Sequence, residues 1–137
     1  MKEAPQVGDS CTYVLKTTEE MSASRFQDSS PPVFATPFLL GAVEASAARL
    51  MERWLEPGEM TVGGGVELRH TAATPLGWDV RAVARLVESK GKKFVFAVEC
   101  FDDLEKIGEA RHTRFVIDAA AFLEQVKAKE QRRQGQP

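Results

Sequence analysis

Apolar side chains recur every three or four positions between residues 36 and 54. Leu39, Val43, Ala47, Leu50, Met51 and Trp54 carry the repeat, and that spacing places them on one face of a helix. Thr36 is expected to cap its start. Pro37 suits the first helical position, where no N–H is needed. Pro57 and Gly58 in "EPGE" end it, which predicts a helix of about 18 residues. Its many alanines allow burial on more than one side.

Elsewhere the period drops to two. "SCTYVLK" (10–16) predicts a first strand, followed by a polar connection, "TTEEMSASRFQDSSPP", able to hold a short helical turn. After the helix, "MTVGGGVELRHTA" reads as a strand with Val66 and Leu68 on one side. "GWDVRAVARLVES" sets Val80, Ala82, Ala84 and Leu86 against Arg81 and Arg85. "KGKK" marks a turn, with Gly91 free to take a positive φ. "KFVFAVECFD" alternates Phe94, Phe96, Val98 and Cys100 with Val95, Ala97, Glu99 and Phe101, and "IGEARHTRFVI" predicts a last strand. "DAAAFLEQVKAKEQ" predicts a short C-terminal helix capped by Asp118, with a flexible tail over residues 131–137.

The order is therefore strand, long helix, then four strands joined by short turns. Connections of hairpin length predict antiparallel pairing. No second helix is large enough to cover the sheet, so the sheet must wrap the first one. The expected fold is α+β, an antiparallel curved sheet around one long central helix. The 137 residues suit one domain, 1–137.

Composition narrows the function more than the fold. A formal charge of −2 with 28% charged residues offers no basic face for nucleic acid. The longest apolar stretch stops at Glu44 and is shorter than the roughly 18 residues of a membrane span. No secretory pattern opens the chain. A cytoplasmic protein is expected, with Cys11 and Cys100 reduced. The cysteines have no metal-like spacing, so no metal site is expected.

A few residues could carry chemistry. Glu44 interrupts the helix among small neighbours, Gly41, Ala45 and Ala47. A carboxylate there is either desolvated and able to act as base or nucleophile, or simply on the solvent stripe. Thr36 stands at the helix start, where free N–H groups and the dipole favour an acyl oxygen or phosphate. His70 and His112 are the only histidines, each either a general base or a hydrogen-bonded structural residue. The run Gly63, Gly64, Gly65 reads as a bulge, a close ligand approach, or both. Arg114 could pair with an acid or sit in solvent. Lys127, Lys129, Arg132 and Arg133 read as a solvated helix face.

Three segments, in order, resemble a known family. "VFATPFLLGAVEASAARLMERWLEPGE", "HTAATP" and "EARHTRFVID" are similar to the fluoroacetyl-CoA thioesterase and its relatives, small single-domain hotdog-fold thioesterases. The most specific parts are the Ala-Thr pair eight residues before the helix Glu (44 − 36 = 8), the "LEPGE" helix end and "HTAATP". The resemblance implies hydrolysis of an acyl-CoA, with coenzyme A as part of the substrate and no other cofactor. It implies a homodimer, possibly a tetramer, with active sites at the subunit interface. By the same resemblance, Thr36, Glu44 and His70 match the catalytic residues, Gly63 a glycine whose backbone lies by the acyl group, and Arg114 an arginine near the site; Gly64 is expected to bind substrate with them. Glu44 would be nucleophile or general base, His70 would move protons, and Thr36 would orient.

One segment departs from that pattern. The fluoroacetyl-specific enzyme carries a longer, aromatic-rich lid before its helix. Here the segment is short and polar, with Phe26 its only aromatic, which implies a different small or medium acyl group. A non-catalytic hotdog module that binds acyl-CoA is the alternative expectation. A hotdog hydratase would need an Asp and a His on the loop before the helix, and "SSPPVFATP" has neither.

Overall fold

The period-two pattern survives as burial. In the computed structural model, which describes residue 1 and residues 3–136, Val80, Ala82, Ala84 and Leu86 of β3 (Asp79–Lys90) are buried while Arg81 and Arg85 are exposed. Phe94, Phe96, Val98 and Cys100 of β4 (Lys93–Phe101) face the same interior. The other strands are β1 (Ser10–Lys16), β2 (Glu59–His70) and β5 (Lys106–Asp118). All pairings are antiparallel, in the order β1-β3-β4-β5-β2.

The first helix, α1 (Thr36–Glu52), packs on the inner face and touches all five strands. Leu39, Val43, Ala47, Leu50 and Met51 are fully buried, as the spacing predicts, together with Ala42. Each large apolar side chain removed from water contributes about 1.5–3 kcal/mol, so this seam holds helix and sheet together. Trp54 lies beyond the helix end and is only half-buried. Ser46, buried in the same seam, donates its hydroxyl to the Val43 carbonyl at 2.8 Å. This is the expected α+β hotdog architecture, with a curled five-stranded sheet around one long helix. A second helix, α2 (Ala119–Gln134), follows β5.

Three local expectations change. Thr36 does not cap α1. The cap is Ala35, which has extended backbone and no side chain able to bond the first turn, so Thr36 is the first helical residue and Pro37 the second. The Ala35 amide is instead held by the Met21 carbonyl at 2.8 Å, which fixes the chain's entry and frees the Thr36 hydroxyl. Second, residues 71–78 make no hairpin. β2 runs to the far edge beside β5, and the connection crosses the end of the sheet. There Ile107 O accepts from Thr71 N, Asp102 from the Thr74 hydroxyl, and Trp78 O from Thr17 N. Third, α2 continues through Gln134, past the predicted end, because nothing in "QRRQ" breaks it. Asp118 does cap it, accepting from Ala121 N at 2.9 Å. Of the predicted tail, Pro137 lies outside the described residues.

The glycine run makes a bulge. The β2–β5 register shifts between Gly63 and Gly65, leaving Gly64 as the extra residue. A Cβ at Gly64 would overlap the Phe115 ring. The bulge also resets the phase of the strand. Gly63 and His70 are seven apart (70 − 63 = 7), which in a regular strand points them to opposite faces. Their partners Arg114 and Gly108 are six apart (114 − 108 = 6), so the extra residue puts both on the helix side.

Candidate active site

The start of α1 meets the end of β2 through two side chains. Thr36 Oγ1 lies 2.8 Å from His70 Nδ1. Among the described residues the other ring nitrogen, Nε2, is enclosed without a hydrogen-bond partner, and the Phe34 ring stands edge-on to the imidazole at 6.4 Å. Burial pushes the His70 pKa below its ordinary 6.5, opposed by the Ala72 carbonyl. The imidazole is therefore neutral at neutral pH, and Nδ1 is the nitrogen that works with the Thr36 hydroxyl. Both residues line a cleft of about 270 Å³ with Ala23, Val33, Phe34 and Ala73. Its walls come from the polar strap before α1 and from "HTAATP". The strap's Phe26 lies 6.1 Å from Phe38 of α1, a pairing the strap's sequence alone does not reveal.

Two turns further along α1, about 12 Å by helical rise, Glu44 faces a different group. Its side chain is 46% exposed, and Oε2 lies 3.7 Å from Nη1 of Arg114, whose side chain is 9% exposed. Arg114 Nε donates to the Thr61 hydroxyl and Nη2 to the Thr61 carbonyl, both at 3.0 Å. Desolvation lowers the Arg114 pKa and the Glu44 charge opposes this; a guanidinium keeps its proton at neutral pH. Gly63 completes the group. A Cβ there would stand 3.4 Å from His112 Cε1, 3.5 Å from Glu44 Oε2 and 3.6 Å from Arg114 Nη1. The bare glycine thus keeps open space over the carboxylate. Gly64 points to the opposite face, against Phe115.

The predicted residues fall into two clusters, Thr36 with His70 and Glu44 with Arg114 and Gly63. Among the described residues, the hydrogen bonds and ion pairs join the members of each pair and none joins the two pairs. His112 enters the second cluster although the sequence left it undecided. It is 1% exposed, Nδ1 lies 2.8 Å from the Gly65 carbonyl and Nε2 lies 3.3 Å from Arg114 Nη1. The signal was its two-residue spacing from Arg114 on one strand, which puts both on one face. Cys100 takes no part, since burial pushes its thiol up to about 12. Among the described residues no group of three His, Cys, Asp or Glu side chains could hold a metal, and no helix is long and apolar enough to cross a membrane.

Both histidines have depressed pKa values, and this sets a pH window for stability. Burial is the largest cause in each, and the Arg114 charge adds to it at His112. As pH falls through 6.5 the unfolded chain takes these protons before the folded one does, so stability present above 6.5 declines below it. Carboxylates with lowered values, such as Glu59 and Glu109, act only below their ordinary 4.5. The melting temperature is therefore expected to drop between about pH 7.5 and pH 5.5, and to drop less in H112Q. An equal drop in the variant would remove His112 from the account.

Known proteins share this arrangement of elements. The family model for fluoroacetyl-CoA-specific thioesterase (FlK) matches residues 17–120. The fluoroacetyl-CoA thioesterase of Streptantibioticus cattleyicolor is 33% identical over 135 residues, covering 94% of this chain and 97% of that protein. The crystal structure of a variant fluoroacetyl-CoA-specific thioesterase in complex with fluoroacetate and CoA superposes with a TM-score of 0.80 at 32% identity, covering 86% of this chain and 99% of that one. A Thermus thermophilus thioesterase superfamily member reaches a TM-score of 0.91 at 28% identity, covering 99% of this chain and 100% of that one. With the family model matching most of its length, the chain belongs to the fluoroacetyl-CoA-specific thioesterase family, thioester hydrolases of hotdog fold.

Proposed function

We propose that this protein hydrolyses a small or medium acyl-CoA to the free acid and coenzyme A. The observation that carries the reading is a half-exposed carboxylate, Glu44, held beside a buried guanidinium and, among the described residues, without a hydrogen bond, on a helix that starts at a Thr36–His70 pair. Glu44 adds to the thioester carbonyl or takes a proton from the water that does. The C–S bond breaks, the thiolate leaves as coenzyme A and receives a proton by way of His70, and the acyl carbon keeps the water's oxygen as the acid. Thr36 orients His70. No resident cofactor is required.

The relative's complex with fluoroacetate and CoA supports an acyl-CoA substrate. Here residues 19–32, before α1, are polar and carry Phe26 as their single aromatic, which favours an acyl group other than fluoroacetyl. A homodimer is part of the proposal. β2 pairs with β5 on one side, and its other edge is a twelve-residue row of backbone groups suited to a second strand. The test is a panel of acyl-CoAs of rising length, with free thiol followed over time. Turnover of at least one short or medium member is expected. Tight coenzyme A binding without turnover of any member would instead favour a non-catalytic acyl-CoA-binding module.

A further inference from the structure

We propose that His112 is a positioning residue for Glu44, acting through Arg114. This rests on the thioesterase reading above. Gly65 O can only accept, so His112 Nδ1 carries the proton and donates to it at 2.8 Å. Nε2 then has a lone pair and accepts from Arg114 Nη1 at 3.3 Å. The tautomer is fixed from both sides, and the lowered pKa keeps the ring neutral so that it accepts rather than repels.

The consequence is a guanidinium held at three corners. Thr61 takes Nε and Nη2, and His112 takes one hydrogen of Nη1. The second Nη1 hydrogen remains available toward Glu44 Oε2. At 3.7 Å that contact is too long for a hydrogen bond. Glu44 therefore feels a fixed positive charge while its lone pairs stay free for a carbonyl carbon or a water. His112 also joins the two parts of the site, because its acceptor belongs to the bulge. The bulge sets Gly63 above the carboxylate, and the same imidazole sets the guanidinium beside it.

Three variants test this. Gln at 112 can donate from its amide nitrogen and accept on its oxygen, so H112Q is expected within about tenfold of wild-type kcat. H112F fills the space with neither bond, and kcat is expected to fall about 10–100-fold with KM little changed, since a small displacement of a reacting group acts on the transition state. T61V loosens the guanidinium at another corner and is expected to lower kcat in the same way. It also carries the test if H112F does not fold. Wild-type kcat in folded H112F or in T61V would overturn the inference, as would equal loss in H112Q and H112F. Nitrogen chemical shifts give a readout independent of turnover. An Nδ1-protonated, neutral His112 and a slowly exchanging Arg114 side chain are expected, and an Nε2-protonated ring would overturn the inference. If the wild-type protein hydrolyses no acyl-CoA, the thioesterase reading fails, and these resonances alone decide the positioning.

Discussion

Glu44→Ala is expected to lower kcat/KM for thioester hydrolysis by about 10²–10⁴-fold, the usual contribution of a positioned acid, base or nucleophile. The fold should survive. Among the described residues Glu44 makes no hydrogen bond; it is half exposed and belongs to neither the buried face of α1 nor the core cluster. Removing it leaves the Arg114 charge without a counter-ion, but Thr61 and His112 still bind its N–H groups. An ion pair this exposed contributes about 1 kcal/mol or less. The loss should therefore show in the rate and scarcely in the melting temperature. Glu44→Gln keeps the shape and should lose as much, because an amide neither attacks a thioester nor takes a proton from water at neutral pH. A single turnover quenched in acid then separates the routes, since an acyl group found by mass on Glu44 identifies a covalent intermediate. Wild-type turnover by Glu44→Ala would end the assignment of this residue.

The second large effect is expected at His70, and its form matters more than its size. His70→Ala should lower kcat by about 10²-fold or more. Thr36→Val, which keeps the volume and removes the hydroxyl, should lose about tenfold, in line with one hydrogen bond. Thr36→Ser should stay near wild type. The double variant of Thr36→Val and His70→Ala should be no slower than His70→Ala alone. The 2.8 Å bond makes the two residues one unit, and residues that act as a unit do not add. Fully additive losses would show that Thr36 acts on the substrate without His70. The enclosed Nε2 supports the coupled outcome, because it leaves Nδ1, the atom bonded to Thr36, as the nitrogen that exchanges protons at the cleft.

Much of the scaffold was legible along the chain, and the reason is local. A three-to-four repeat on α1 and a two-residue repeat on β3 and β4 follow from backbone geometry, so apolar spacing reports them directly. The Asp118 cap is legible for the same reason, since its partner Ala121 is three residues away. The Thr36 cap was misread because Ala35 is held by Met21, a strap residue fourteen positions earlier, and no local rule sees that bond. The connection 71–78 was misread as a turn because its hydrogen bonds run to Ile107 and Asp102, across the sheet.

The site follows the same division. Thr36, Glu44, His70, Gly63 and Arg114 stood out from residue type and from the likeness of three segments to a family. Their grouping did not. Spacing along α1 separates Thr36 from Glu44 by two turns, and only the placement of β2 and β5 gives each a partner, His70 and Arg114. His112 was undecided because the choice between a structural imidazole and a working one depends on what faces it, and its Gly65 partner comes from the way β2 and β5 pair.

By itself the sequence determined the elements, the apolar face that each one buries and the inventory of reactive groups, because these depend on side-chain period and chemistry within a few residues. The tertiary structure decided which groups meet. The bulge at Gly64 turns Gly63 and His70 to the same side of one strand, the entry of α1 gives the Thr36 hydroxyl to His70, and His112 holds Arg114 beside Glu44. Each depends on a contact between residues more than thirty positions apart or on a phase set by one extra residue. Such contacts arise when the apolar face of α1 closes against the whole sheet.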